Sequence, residues 1–172
     1  MPIGSLRSAA AAALCLCGLA ASAVAAPDAP LSGLPILVDA AGKAIGPYLP
    51  NNAGTNSALI SVDKRILAVP ANNLGFFEAR YILYYKTKNC SGEALMSANT
   101  LPLAGMQKGV LYYPAEERVE PKIKSRNEFV PNMGMSPCGL IQTTGGSFAK
   151  VKTLKVDELG FKAPFSLKTT LP

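Results

Sequence analysis

Histidine and tryptophan are both absent from this 172-residue chain. Without histidine there is no Ser-His-Asp or Cys-His nucleophilic site. Catalytic zinc centres, which lean on imidazole, are disfavoured, and the side chain best matched to proton transfer near neutral pH is missing. Without tryptophan the best stacking platform for sugars or bases is gone. Other signatures are missing too. There is no Cys-x-x-Cys redox pair. Gly145-Gly146 lacks the following Lys-Ser/Thr and the strand-to-helix setting of a phosphate loop. No helical stripe persists for three turns, and there is no internal repeat. No metal, cofactor or catalytic residue is expected.

Paired carboxylates are the catalytic route left open. Glu116-Glu117 and Asp157-Glu158 are adjacent in sequence, and neighbours on a strand point to opposite faces rather than into one cleft. A carboxylate-dependent hydrolase is therefore the weakest of the readings kept.

What is present begins at the N-terminus. Arg7 is the only charged side chain before Asp28, and residues 8–21 form an apolar run ending near Ala23-Val24-Ala25. A positive start, a short apolar core and an A-x-A site make a signal peptide, with cleavage expected between Ala25 and Ala26. The run is too short for the roughly 20 apolar residues of a membrane span. Cys15 and Cys17 follow leucines and read as small hydrophobes of the signal core. The expected organisation is a signal peptide over 1–25, an extended Pro-rich leader over 26–33 and a single β-rich domain over 34–172. The localisation expected is periplasmic or extracellular.

Cleavage leaves two cysteines, Cys90 and Cys138. In an oxidising compartment they allow one intramolecular bridge. Closing that loop contributes roughly 4 kcal/mol by the chain-entropy relation, and the bridge is expected to hold the two halves of the domain together. The formal charge of +6 suits loose, non-specific attraction to anionic envelope polymers or nucleic acid, or simply a Lys-rich solvated surface; specific nucleic-acid binding is not expected.

Short strands with Gly, Pro and Asn punctuation fill the rest. Leu34-Pro35-Ile36-Leu37-Val38, a turn at 39–43 and Ala44-Ile45 read as a hairpin; 47–55 reads as loop. Residues 58–62 and 66–70 alternate around an Asp63-Lys64 turn, and 72–75 turn again. Residues 80–86 carry Tyr81, Leu83 and Tyr85 on one face and Ile82 and Tyr84 on the other, as in a central strand covered on both sides. A strand over 109–113 is expected to stop at Pro114. Residues 119–128 alternate Glu120, Lys122, Lys124, Arg126 and Glu128 against Val119, Pro121 and Ile123, an exposed strand at a sheet edge. A strand over 148–156, one helical turn closed by Gly160 and a last strand over 165–169 follow. The fold class is all-β, an antiparallel sandwich or barrel-like domain with one disulfide.

Two constellations could contact a ligand. Tyr84, Tyr85, Tyr112 and Tyr113, with Tyr81, could stack on a sugar ring or fill an interface, or simply pack the core. Lys122, Lys124 and Arg126, and separately Lys150 and Lys152, could hold phosphate or carboxylate groups, or form a solvated strand face diluted by Glu120 and Glu128. Asn89-Cys90-Ser91 formally matches a glycosylation sequon, with a bridging cysteine at its centre.

Read in order, Asp39-Ala40-Ala41-Gly42-Lys43, Val69-Pro70 before Gly75-Phe76, Leu83-Tyr84-Tyr85, Cys90-Ser91-Gly92, Tyr112-Tyr113-Pro114 and the late Cys138 form a pattern. It resembles that of a group of uncharacterised bacterial secreted β-domains, and Gly160-Phe161 through Pro164-Phe165 looks like their ending. The resemblance implies export and a compact β module, sometimes attached to larger surface proteins. It implies no activity and carries over no site. The expected function is a non-enzymatic binding or structural module of unknown ligand, a cell-envelope component and a protein both being open as partners; the alternative is a partner-directed inhibitor or adhesin.

Overall fold

A computed structural model describes residues 34–52, 55–98, 102–143 and 146–169. The expected signal peptide and leader, 1–33, lie outside the described residues.

The fold is all-β, built as two curled antiparallel sheets. The first contains β1 (Ile36–Val38), β2 (Ala44–Asn52), β3 (Thr55–Val62), β4 (Arg65–Asn72) and β5 (Gly75–Phe76) as a meander, with the last strand, β14 (Ser166–Lys168), added beside β1. The second contains β6 (Tyr81–Tyr85), β7 (Leu95–Ser97), β8 (Gly105–Gln107), β9 (Val110–Val119), β10 (Ile123–Val130), β11 (Gly134–Met135), β12 (Gly139–Thr143) and β13 (Phe148–Lys155). Its spatial order is β11-β10-β6-β7-β13-β9-β8, and β12 also pairs with β10. A 3-10 turn over Val156–Leu159 ends at a left-handed Gly160, as its sequence predicts.

The turns follow their residues. Asp63 and Lys64 both have positive φ (50° and 63°), the two-residue geometry whose twist matches flanking strands. At the first hairpin Asp39 Oδ1 accepts the N–H groups of Ala41 and Lys43 at 2.9 and 2.8 Å, and Oδ2 accepts that of Lys162 at 3.2 Å. The Asp-x-x-Gly-Lys pattern thus builds a turn and anchors the C-terminal segment to it.

Three sequence expectations are corrected, each through proline. Residues 47–52 are not loop but the body of β2. The register between β1 and β2 shifts at Gly46, and Pro47 follows that bulge, where a missing N–H is tolerated. Gly46 is required there, because a Cβ would collide with the Leu59 carbonyl. Pro114 does not stop its strand. It faces Val151 where the β9–β13 register jumps to Arg118 opposite Ala149, and Arg65 Nη1 donates to the Pro114 and Ala115 carbonyls, both at 2.6 Å. Finally, 119–128 is not one edge strand. Pro121 lies in the connection between β9 and β10, and β10 is flanked by β6 on one side and by β11 and β12 on the other.

The core has three parts. The largest joins Leu37, Ile60, Leu67 and Val69 of the first sheet to Met106, Leu111 and Tyr113 of the second. The strand segment before β8 also crosses between sheets: Ala68 N–H donates to the Pro102 carbonyl and Ala104 N–H to the Ala68 carbonyl. A second cluster gathers Tyr81, Leu83, Tyr85, Met96 and Phe129. The third, Leu95, Ile123 and Phe148, packs with Tyr84, so β6 is covered on both faces as expected. The curl of the second sheet brings β8 back to the start of β6, where Ala79 and Met106 exchange N–H···O bonds of 3.1 and 3.2 Å.

Cys90 and Cys138 are bonded, with Cα atoms 5.7 Å apart across 48 residues of sequence. Cys90 follows β6 and Cys138 precedes β12, and both strands flank β10. The bridge therefore clamps one margin of the second sheet instead of joining the two halves of the domain.

Candidate functional site

The four tyrosines singled out from sequence divide among the three clusters. Tyr113 belongs to the first, Tyr85 and Tyr112 to the second and Tyr84 to the third. Tyr85 and Tyr113 are buried. Tyr112 stacks on Tyr81, with ring centroids 4.6 Å apart, and Tyr81 stacks in turn on Phe129 at 5.2 Å. Tyr84, half-buried, meets Phe148 edge-on at 5.0 Å. The structure does not bring the four onto one surface. The Tyr81 hydroxyl donates to Gln107 Oε1 at 2.8 Å, and burial pushes the phenol pKa of Tyr81 up strongly.

Carboxylates are drawn into the framework. Asp63 Oδ2 accepts from Lys152 Nζ at 2.8 Å and from the Tyr113 hydroxyl at 3.1 Å. The Lys152 hydrogen bond first, then that of Tyr113, holds the Asp63 carboxyl below its usual range. Tyr113 is pushed up to about 12, first by desolvation and then by the Asp63 hydrogen bond. Lys150 pairs with Glu93 at 2.9 Å, a hydrogen bond that raises the lysine pKa. Lys150 and Lys152 are thus neutralised in place. Glu116, Glu117, Asp157 and Glu158 are exposed. Among the described residues no three His, Cys, Asp or Glu side chains group as metal ligands. At the sequon, the Ser91 hydroxyl donates to Asn89 Oδ1 at 2.7 Å while Cys90 is bonded to Cys138.

Lys122, Lys124 and Arg126 stand differently. In β10, Ile123, Ser125 and Phe129 are buried, while Lys124 and Arg126 are exposed, and exposed Lys122 precedes them. Glu128, farther along the same face, is ion-paired with Arg80. Among the described residues no carboxylate pairs with Lys122, Lys124 or Arg126. Arg126 lies between Tyr84 on β6 and Gly139 on β12, so one neighbour is aromatic and the other has no side chain to shield it. Exposed Lys86 and Lys88 leave the end of β6 on a loop that is tied to β10. There Ser125 Oγ donates to the Thr87 carbonyl at 2.7 Å and accepts from Cys90 N–H at 3.1 Å. Sequence reading did not connect these two lysines with the β10 row; only the β6–β10 pairing does.

A separate concavity of about 250 Å³ lies on the first sheet. Leu37 and Phe165 are its buried members, Tyr48 forms a wall, and Asn72, Asn73 and Ser166 line it with polar groups. Sequence reading missed it, because Tyr48 fell in an expected loop and the two asparagines read only as turn residues. Among the described residues no helix is long and apolar enough to cross a membrane. Comparisons with family models, with curated proteins and with solved structures find no match.

Proposed function

We propose that this chain is an exported, non-enzymatic binding module of the kind its motifs resemble, and that it attaches to linear polyanions of the cell envelope. One observation carries the reading: the row Lys122, Lys124, Arg126, exposed and without carboxylate partners, beside a loop bearing Lys86 and Lys88. Lys124 and Arg126 are alternate residues of β10, about 7 Å apart, and Lys122 directly precedes the strand, so the row offers a series of cations to a chain of phosphates, sulfates or carboxylates. Arginine adds bidentate hydrogen bonding and stacking on aromatic faces. Asp39, Asp63, Glu93 and Glu128 are engaged in turns and ion pairs, and the adjacent pairs Glu116-Glu117 and Asp157-Glu158 are exposed, which supports binding over catalysis.

The test is affinity for dextran sulfate and for polyphosphate, with neutral dextran as control, measured across a range of salt. Binding to both anions that weakens steeply with salt is expected. Lys122→Gln, Lys124→Gln, Arg126→Gln together should reduce the log–log salt slope by about 2, at roughly 0.7 per neutralised charge. An unchanged slope in a folded triple variant overturns the assignment.

A second reading, the partner-directed adhesin or inhibitor, is favoured by one feature. Met133 and Leu140 are 83% and 70% exposed on the margin held by the disulfide, and exposed large apolar groups mark interaction surfaces when contiguous.

A further inference from the structure

We infer that the concavity on the first sheet is a second, independent binding site, and that it takes a neutral polyhydroxylated ring, a single sugar unit. Its lining carries no charged side chain. A charged ligand would have to leave water without an ionic partner, which is costly; a neutral ligand would not. At about 250 Å³ the site falls just below the ~300–1,000 Å³ of drug-sized pockets, the scale of one ring.

The chemistry of the lining is two-sided, as a sugar is. Half-buried Tyr48 supplies aromatic surface for the C–H face of a ring, and Phe165, buried, closes the base beneath it. Asn72, Asn73 and Ser166 supply amide and hydroxyl groups, each able to donate and accept. Their placement is built into the fold. Asn72 Oδ1 accepts the Leu74 N–H at 2.8 Å, which fixes the amide plane and leaves its Nδ2 group as the donor. Phe165 N–H donates to the Asn73 carbonyl at 2.9 Å, pinning the start of β14 against the β4–β5 turn. Phe165 is itself locked edge-on against Phe76 at 4.9 Å. A base held rigid by Phe165 and an Asn72 amide already oriented cost little ordering on binding. The site lies on the sheet that does not carry the β10 row, so it does not depend on the polyanion reading.

The experiment is amide NMR of the folded domain titrated with a panel of neutral methyl glycosides, including N-acetylated ones. At least one should shift the side-chain amide signals of Asn72 and Asn73 saturably. Ser166→Tyr, which fills the mouth, should weaken that binding at least tenfold. Tyr48→Leu should also weaken it, and the triple β10 variant should leave it unchanged. No saturable shift with any glycoside, or shifts that survive Ser166→Tyr, overturns the assignment. Binding lost in the β10 variant but kept in Ser166→Tyr overturns it in favour of a site on the other sheet.

Discussion

Asp63 shows how one side chain ties the two sheets' electrostatics to stability. It occupies the first position of the β3–β4 turn yet accepts hydrogen bonds from Lys152 and Tyr113 in the other sheet. Its pKa is lowered in the folded state, so its contribution is present above the unfolded value of about 3.9 and is lost as pH falls through the depressed value. Asp39 acts in the same sense. Desolvation pulls its pKa up, but the N–H groups of Lys43, Lys162 and Ala41 outweigh that and lower it. Tyr113 has the opposite sign. Raised to about 12, it contributes stability that is complete below about 10 and is lost as pH climbs through the folded value. Melting temperature against pH should therefore fall at both extremes. Asp63→Asn should shrink the acid limb and bring the Tyr113 phenol part of the way down, readable by ultraviolet titration. An unaltered acid limb and an unaltered phenol titration would remove Asp63 from both roles.

At the scale of elements, the curl of the second sheet depends on how closely β8 approaches β6. Gly105 in β8 lies against the Tyr81 ring, where a Cβ would collide with the side chain, and Tyr112, opposite Gly105 in β9, stacks on the same ring. Gly105→Ala must push Tyr81 out of its stack with Tyr112 and Phe129. Overpacking of this kind costs about 1–3 kcal/mol, to be measured by denaturant unfolding. Gly139→Ala is the matched control. Its Cβ would meet only the Arg126 carbonyl, at 3.8 Å, and surface changes away from special features stay within about 0.5 kcal/mol. Equal effects in the two variants would show that β8 closure is looser than its contacts indicate.

For the whole molecule, the disulfide is local in space but global in energy. It clamps the β6 and β12 margins around β10, while in the unfolded chain it closes a 48-residue interval. Removing such a bond from a small secreted domain typically costs about 2–5 kcal/mol, a large share of marginal stability. Cys90→Ser with Cys138→Ser should lower the melting temperature. In the native state, faster hydrogen exchange should be confined to 87–92 and 131–143, leaving β3 and β4 protected. Loss of protection throughout the first sheet would instead mean that the bridge joins the halves of the domain.

Much of the fold was legible in the sequence because its cause is local. Alternation in 58–62 and 66–70, the Asp63-Lys64 and Asn72–Gly75 turns, the doubly covered 80–86 strand and the Gly160 cap each follow from neighbouring residues and backbone preference. The pairing of Cys90 with Cys138 followed from counting once Cys15 and Cys17 were assigned to the expected signal peptide. The prolines misled, because whether a strand accommodates a proline depends on where its missing N–H falls in the ladder, and the partners and register shifts beside Pro47 and Pro114 are known only from the tertiary pairing. For the candidate sites, the alternating cations of β10 could be read directly. Tertiary structure decided that Lys150 and Lys152 would be neutralised by Glu93 and Asp63 while Lys122, Lys124 and Arg126 would not. It also decided that Leu37, Tyr48, Asn72 and Phe165 would meet around one cavity. Charge pairing and cavity formation depend on contacts between residues far apart in the chain, and no local pattern encodes those.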